Sequence, residues 1–252
     1  MRKSREVFSL IKINLEFTAK DTGKAVKRKD VIIVIDVLRC TSTIITALAN
    51  GAKGVIPVKT INEAREIHRQ YPNTVLAGER KGIKPKGFYF GNSPLEFHPT
   101  KVDGKNIILT TTNGTKTLTK TKGAAFVFIG AFLNINTVTD AALRIAKREN
   151  CGLSLVLSGR RGKFSLEDYL CAGAMLERFT LHQIDASDAA FASLLTFQQV
   201  YDSLTNIIFQ GHHAQYLKSI GLEEDVRFCC KQNRYKLIPY LKGKIITPFK
   251  KK

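Results

Sequence analysis

The sequence lacks any apolar run long enough to cross a bilayer. Its longest stretches, such as residues 31–35, are strand-length and stop at Asp36. The start carries Arg2, Lys3 and Arg5 but no apolar segment and no small-residue cleavage site, so a secretory leader is not expected. Cysteine is sparse: Cys40, Cys151, Cys171, Cys229 and Cys230 are odd in number and contain no C-x-x-C pair. That argues against a disulfide framework and a thiolate zinc site, and fits free thiols in a reducing cytoplasm. The histidines show no zinc spacing either. On a helix the adjacent His212 and His213 would point roughly 100° apart, so both are expected to be solvated or partly buried. No low-complexity linker divides the chain. Acidic residues are few, 21 Asp+Glu against 40 Lys+Arg, which leaves a formal net charge of +19 over 252 residues. Such an excess calls for an anionic partner (nucleic acid, a membrane surface or a small polyanion) without choosing among them.

What is present is an alternation of short apolar strands and helices. With 44% hydrophobic and 24% charged residues the composition is globular. Residues 11–17 alternate as a half-buried strand, and residues 20–29 read as a polar, basic connector. A continuous apolar strand at 30–35 is of the kind buried on both faces of a parallel sheet. A polar turn follows, then a helix over 43–50 that stops at Gly51, a strand at 54–58 and a helix over 62–70 ended by Tyr71 and Pro72. Strands at 74–77, 106–109, 124–129 and 153–157 continue the pattern, with helices over 136–148, from near Ser165, and over 188–209. Lys122 and Gly123 echo Lys53 and Gly54, which suggests one supersecondary unit used more than once. The expected fold is α/β: layered α/β/α, built from repeated βα units around a largely parallel or mixed sheet. Residues 1–252 are read as one compact unit, or two tightly packed lobes meeting near 100–150, with 1–29 a basic extension and strand.

Polar residues fall where the apolar strands end. In open parallel sheets ligands bind outside the carboxyl ends of strands, and helix N-termini there favour anions. Three such turns stand out: Asp36, Arg39, Thr41 and Ser42; Thr111, Thr112, Asn113, Gly114 and Thr115; and Arg160 and Arg161 between glycines. Asp36 can ligate a cation, attack phosphorus or cap the next helix. Arg39 can fork onto a phosphate or carboxylate. Residues 110–115 are not a Walker A loop, and Leu38 breaks the D-x-D-x-T spacing of haloacid-dehalogenase-type phosphatases. Glu96 fits a capping box behind Ser93 and Pro94, whereas Glu167 and Asp168 follow the Arg-rich loop and suit metal or general-base work as well as a helix start. Glu79 adds another strand-end carboxylate.

The strings VIDVLRCTST (34–43), GER (78–80), GNSPLE (91–96), TTTNGT (110–115) and FSLED (164–168) with CAG (171–173) occur in an order that resembles the 2-phosphosulfolactate phosphatase family. A weaker echo is EEDV (223–226), and together they cover about residues 30–240. The resemblance implies a Mg²⁺-dependent phosphatase that converts (2R)-phospho-3-sulfolactate to 3-sulfolactate and phosphate, a step of coenzyme M biosynthesis in methanogens. On that footing the expected catalytic residues are Asp36, Arg39, Glu167 and Asp168. The expected metal ligands are Asp36, Glu79, Glu167 and Asp168. Substrate contacts are expected from Thr41, Ser42, Arg80, Asn92, Ser93, Thr111, Thr112, Asn113, Gly114, Thr115, Arg160 and Arg161. Cys40 where alanine is expected, Tyr89 where an acid is expected and the long basic N-terminus depart from the pattern.

The expected partner is a small polyanionic phosphate ester, with no membrane and with cytoplasmic location; a homodimer is left open. One alternative is a related phosphatase acting on another small anionic ester. The other is a basic nucleic-acid-binding protein, which rests on the net charge and the lysines at 24–29 and 250–252. Against that class, no RRM, KH or helix-turn-helix string appears, and the basic runs lie in connectors and termini.

Overall fold

The computed structural model describes residues 10–179 and 184–249; the basic start and the lysines at 250–252 lie outside them. In chain order the elements are β1 (Ile11–Glu16), α1 (Thr22–Arg28), β2 (Val31–Ile35), α2 (Cys40–Ala49), β3 (Gly54–Val58), α3 (Ile61–Gln70), β4 (Thr74–Gly78), α4 (Pro99–Val102), β5 (Asn106–Thr110) and α5 (Gly114–Lys120). There follow β6 (Val127–Gly130), α6 (Ile135–Arg148), β7 (Leu153–Leu157), α7 (Leu166–Leu176), β8 (Ile184–Ala186), α8 (Asp188–Val200), α9 (Leu204–Gln210), α10 (His212–Ser219), α11 (Glu223–Cys229), β9 (Pro239–Lys242) and β10 (Ile245–Pro248). The fold is α/β, as the alternation implies.

Several local expectations are corrected. The strand expected at 124–129 runs Val127–Gly130, and the helix expected over 188–209 is broken at Tyr201–Ser203 into α8 and α9. The connector at 20–29 contains α1, because Thr22 and Ala25 are buried and Arg28 pairs with Glu16 and Asp30 at the starts and ends of neighbouring strands. The helix after β2 begins at Cys40 rather than 43. Its first turn is rich in Cys, Thr and Ser, which weakens the helical signal; the turn forms because Asp36 and the Thr41 hydroxyl tie it down.

The sheet runs β4-β5-β3-β10-β9-β6-β2-β7-β1-β8 and is mixed. β4, β5 and β3 are mutually parallel, as are β6, β2, β7, β1 and β8. Between the two blocks lies the antiparallel pair β9–β10, so the blocks run in opposite directions. Matching β2 with β5, β3 with β6 and β4 with β7 makes the order from β4 to β7 read the same from either end. The echo in the sequence is thus a real repeat with exchanged strands: β5 sits between β3 and β4 of the first unit, and β2 between β6 and β7 of the second.

β2 explains why both faces are covered. All five of its residues are buried, with Val31, Ile33 and Ile35 in one core and Ile32 and Val34 in the other. The first core includes residues of α6, α7, α8 and α9; the second includes residues of α2 and α5. Each such side chain contributes roughly 1.5–3 kcal/mol of burial. The helices α2 and α5 that leave β2 and β5 therefore pack together in one core, which carries the carboxyl ends of those two strands to the same place.

Candidate active site

At that meeting point is a cleft lined by residues from both repeats and from α10. Asp36, at the end of β2, is buried. Its Oδ1 accepts the Cys40 N–H at 3.2 Å, while its own N–H donates to the Thr41 hydroxyl. Burial raises its carboxyl to about 6, helped by Glu167 and Glu79 and opposed by His213 and the Cys40 N–H. The second repeat builds the same cap with Thr111 in place of the acid. The Thr111 and Thr115 main-chain N–H groups each donate to the other's hydroxyl, at 3.0 and 3.1 Å. Gly114 is what lets the two turns touch: a Cβ there would lie 2.5 Å from Cys40 Cβ and 2.6 Å from Asp36 Oδ2.

The remaining carboxylates buttress the turns. Asp168 accepts N–H groups from Val37 (2.8 Å) and Gly159 (3.3 Å). Glu79 accepts N–H groups from Thr112 (2.6 Å) and Gly82 (2.8 Å). Val37 follows Asp36 and Thr112 follows Thr111, so the two carboxylates hold equivalent places in the two repeats. Glu167 is instead paired with the His213 Nδ1 at 2.9 Å. Burial and the nearby charges of Glu167 and Asp36 push Asp168 well above the carboxylate range. Burial acts on Glu167 in the same sense, yet its bond to His213 takes it below its ordinary value. Adjacent carboxyls pushed in opposite directions are the pattern of acid–base sites.

Arg39 is buried rather than solvated. Its guanidinium donates to Asp225 Oδ2 at 2.6 Å and to the Gly82 carbonyl at 3.0 Å, and the Ser93 hydroxyl donates to Asp225 Oδ1 at 2.6 Å. Cationic side chains of Lys81, Arg160 and Arg161 also line the cleft. Two of these sit on matching turns. Arg80 and Ile83 exchange both main-chain hydrogen bonds, as do Arg160 and Lys163, with Lys81 and Arg161 both at φ 52°. Each turn places a cation beside a glycine, Gly82 or Gly162, at positive φ.

The chain matches the model of the 2-phosphosulpholactate phosphatase family over residues 17–244. The chain belongs to the 2-phosphosulfolactate phosphatase family. A protein of Thermotoga maritima named probable 2-phosphosulfolactate phosphatase is 44% identical over 209 residues, 83% of this chain and 88% of that one. Counterparts with the same name are 41% identical in Caldanaerobacter subterraneus (85% and 89% covered) and 36% identical in Clostridium beijerinckii (93% and 99% covered). The matched span contains every cleft-lining residue, and the family is one of phosphoric monoester hydrolases.

Within this family member the expected residues divide into two groups. Asp36, Arg39, Glu79, Asn92, Thr111, Thr112, Asn113, Arg160 and Arg161 line the cleft. Asn92 Oδ1 and Thr112 Oγ1 are buried with no hydrogen-bond partner among the described residues, which suits them to a ligand. Thr41, Ser42 and Thr115 turn their hydroxyls to main-chain carbonyls of the caps. Arg80 faces away, donating to the carbonyls of Glu79 and Lys59 and to Thr110. Glu167 and Asp168 stand behind the cleft wall and Ser93 behind Arg39. Glu96 accepts the Gly91 N–H, while Ser93 caps the short 3₁₀ turn Pro94–Glu96.

Among the described residues no three His, Cys, Asp or Glu side chains converge on a common point suited to a metal ion. The physical reason lies in the bonds above: Glu79 and Asp168 engage main-chain N–H groups through both oxygens, and Glu167 engages His213. Asp36 is the carboxylate left at the cleft, and its Oδ2 carries no hydrogen bond from the described residues.

Sequence reasoning missed His213, Asp225, Lys81 and Tyr216. Adjacent histidines were expected not to share a face, and they do not, but it is His213 that turns inward while His212 is exposed. A visible signal existed for Lys81: RKG at 80–82 parallels RRG at 160–162.

Proposed function

We propose that the protein hydrolyses 2-phospho-3-sulfolactate to 3-sulfolactate and phosphate with the help of Mg²⁺. The observation that carries this reading is a buried Asp36 facing Arg39, Lys81, Arg160 and Arg161 in one cleft, inside the span that matches the family. A substrate with phosphate, sulfonate and carboxylate groups needs several cations at different depths. Arg39, held rigid by Asp225, lies deep; Lys81 and Arg161 are exposed at the mouth.

The donor set fits Mg²⁺ in its usual enzymatic mode, in which one or two carboxylates and substrate phosphate oxygens share the ion with water. Asp36 has its Oδ2 free at the cleft and would hold the ion, with the buried charges of Glu167 and Asp168 behind it adding negative potential. Bound there, Mg²⁺ supplies charge neutralisation to the phosphoryl oxygens. The chain's own residues do the rest. Arg39 and the N-terminus of α2 receive the phosphoryl oxygens, and the unpartnered Asn92 and Thr112 polar atoms orient the ester. In hydrolysis the P–O bond to the C2 oxygen breaks, water gives its hydroxyl to phosphorus, and the alkoxide takes a proton. Asp36, ionised above about pH 6, accepts a proton from water or attacks phosphorus itself.

A related ester as substrate keeps this chemistry and changes only the name. Phosphate release from a panel of phosphorylated C3 acids, with Mg²⁺ or with EDTA, decides. Release from phosphosulfolactate that EDTA abolishes is expected; no release from any phosphate ester would contradict the reading. The reducing cytoplasm suits the five free cysteines, and no helix among the described residues is long and apolar enough to span a membrane.

A further inference from the structure

α10 closes the cleft with one face. His213, Tyr216 and Leu217, spaced i, i+3 and i+4, all line it, and His213 is accounted for by Glu167. Tyr216 has no role so far, yet it touches the mouth turns of both repeats. Its hydroxyl donates to the Lys81 carbonyl at 2.9 Å. The Arg160 guanidinium carbon lies over its ring, 5.3 Å from the centroid. Its ring edge also lies over Gly82, where a Cβ would be 3.5 Å from Tyr216 Cε1.

These contacts have a common consequence. Lys81 and Arg160 belong to different repeats, on turns with no hydrogen bond to one another among the described residues. Both are accessible side chains, and a long cation free to swing loses rotamer entropy on binding an anion. A ring stacked on one cation and a hydroxyl holding the main chain of the other remove part of that cost in advance. Neither contact is made to Asp36 or Arg39 themselves, although Gly82, next to Lys81, also accepts from Arg39 through its carbonyl.

We infer that Tyr216 is a positioning residue for substrate specificity, setting the placement of Lys81 and Arg160 that grips the substrate's anionic groups other than the phosphoryl group. The inference rests on the phosphatase reading and deepens it. Tyr216 acts on how a multiply charged ester is told from a singly charged one, and the effect falls on KM more than on kcat.

The test is steady-state kinetics of Tyr216→Phe and Tyr216→Leu on 2-phosphosulfolactate and on p-nitrophenyl phosphate, which carries no anion besides its phosphoryl group. Tyr216→Leu is expected to raise KM for phosphosulfolactate about tenfold more than KM for p-nitrophenyl phosphate, the size of one good cation–π contact with its hydrogen bond. Tyr216→Phe, which keeps the ring under Arg160 and loses the hydroxyl, is expected to fall between. Tm of each variant reports folding, and the Phe variant keeps the comparison open if the Leu variant unfolds. Equal KM changes for both substrates, or a change confined to kcat, overturns the inference. A wild-type protein inactive on both substrates fails at the phosphatase reading itself and takes the inference with it.

Discussion

Asp36 shows how much one position is asked to do. It ends a fully buried strand, caps the helix that follows and faces the cleft, and burial holds its carboxyl at about 6. Its counterpart in the second repeat, Thr111, keeps the cap without the charge. The repeat is therefore symmetric in structure and asymmetric in chemistry. Arg39 is the other residue whose environment sets its role. Both it and Asp225 are almost fully buried, with side chains 3% exposed, and they are joined at 2.6 Å. Breaking such a pair leaves an uncompensated charge in the interior. Asp225→Asn is expected to lower stability by about 3 kcal/mol, read from urea unfolding, and to weaken substrate binding as Arg39 loses its anchor. Unchanged unfolding would mean that Arg39 finds another partner. Asp36, Arg39, Thr112, Asn113, Arg160 and Arg161 were legible in the sequence because each follows an apolar strand. His213 and Asp225 were not, because their partners Glu167 and Arg39 lie 46 and 186 residues away. Arg80 looked like an anion ligand and is instead satisfied by three acceptors of its own block.

At the scale of elements, β1 to β5 and β7 were read within a residue, since β-branched runs bounded by polar turns are hard to mistake, whereas β6 begins three residues later than read and the short β8, β9 and β10 were not read as strands. The first turn of α2 was harder, because its helical state depends on the cap at Asp36 and on burial rather than on propensity. Strand order was not legible at all. The exchange of β2 and β5 between repeats follows from packing of α2 and α5, which no local pattern reports. At Gly114 that packing leaves no room for a side chain. Gly114→Ala is expected to push the second turn away from Asp36 and Cys40, at about 1–3 kcal/mol of stability. Displacement of about 1 Å at reacting groups lowers kcat by about 100-fold. Circular dichroism melts and phosphate-release rates check both; full activity in the alanine variant would show that the turns need not touch.

The whole molecule returns to its charge. An excess of +19 is far more than one cleft requires, and among the described residues the basic side chains that line the cleft are Arg39, Lys81, Arg160, Arg161 and His213. The rest of the field can steer anions toward it. The two blocks of the sheet, running in opposite directions, bring strand ends from both repeats to this one cleft, and the family match covers both. The central claim is that the cleft hydrolyses a phosphate monoester through Asp36. Phosphate release by Asp36→Asn, measured against wild type on 2-phosphosulfolactate with Mg²⁺ present, tests it most directly. The asparagine keeps the cap oxygen and removes the charge, so turnover is expected to fall about 1,000-fold with the Tm little changed. A folded Asp36→Asn protein that turns over near the wild-type rate contradicts the account.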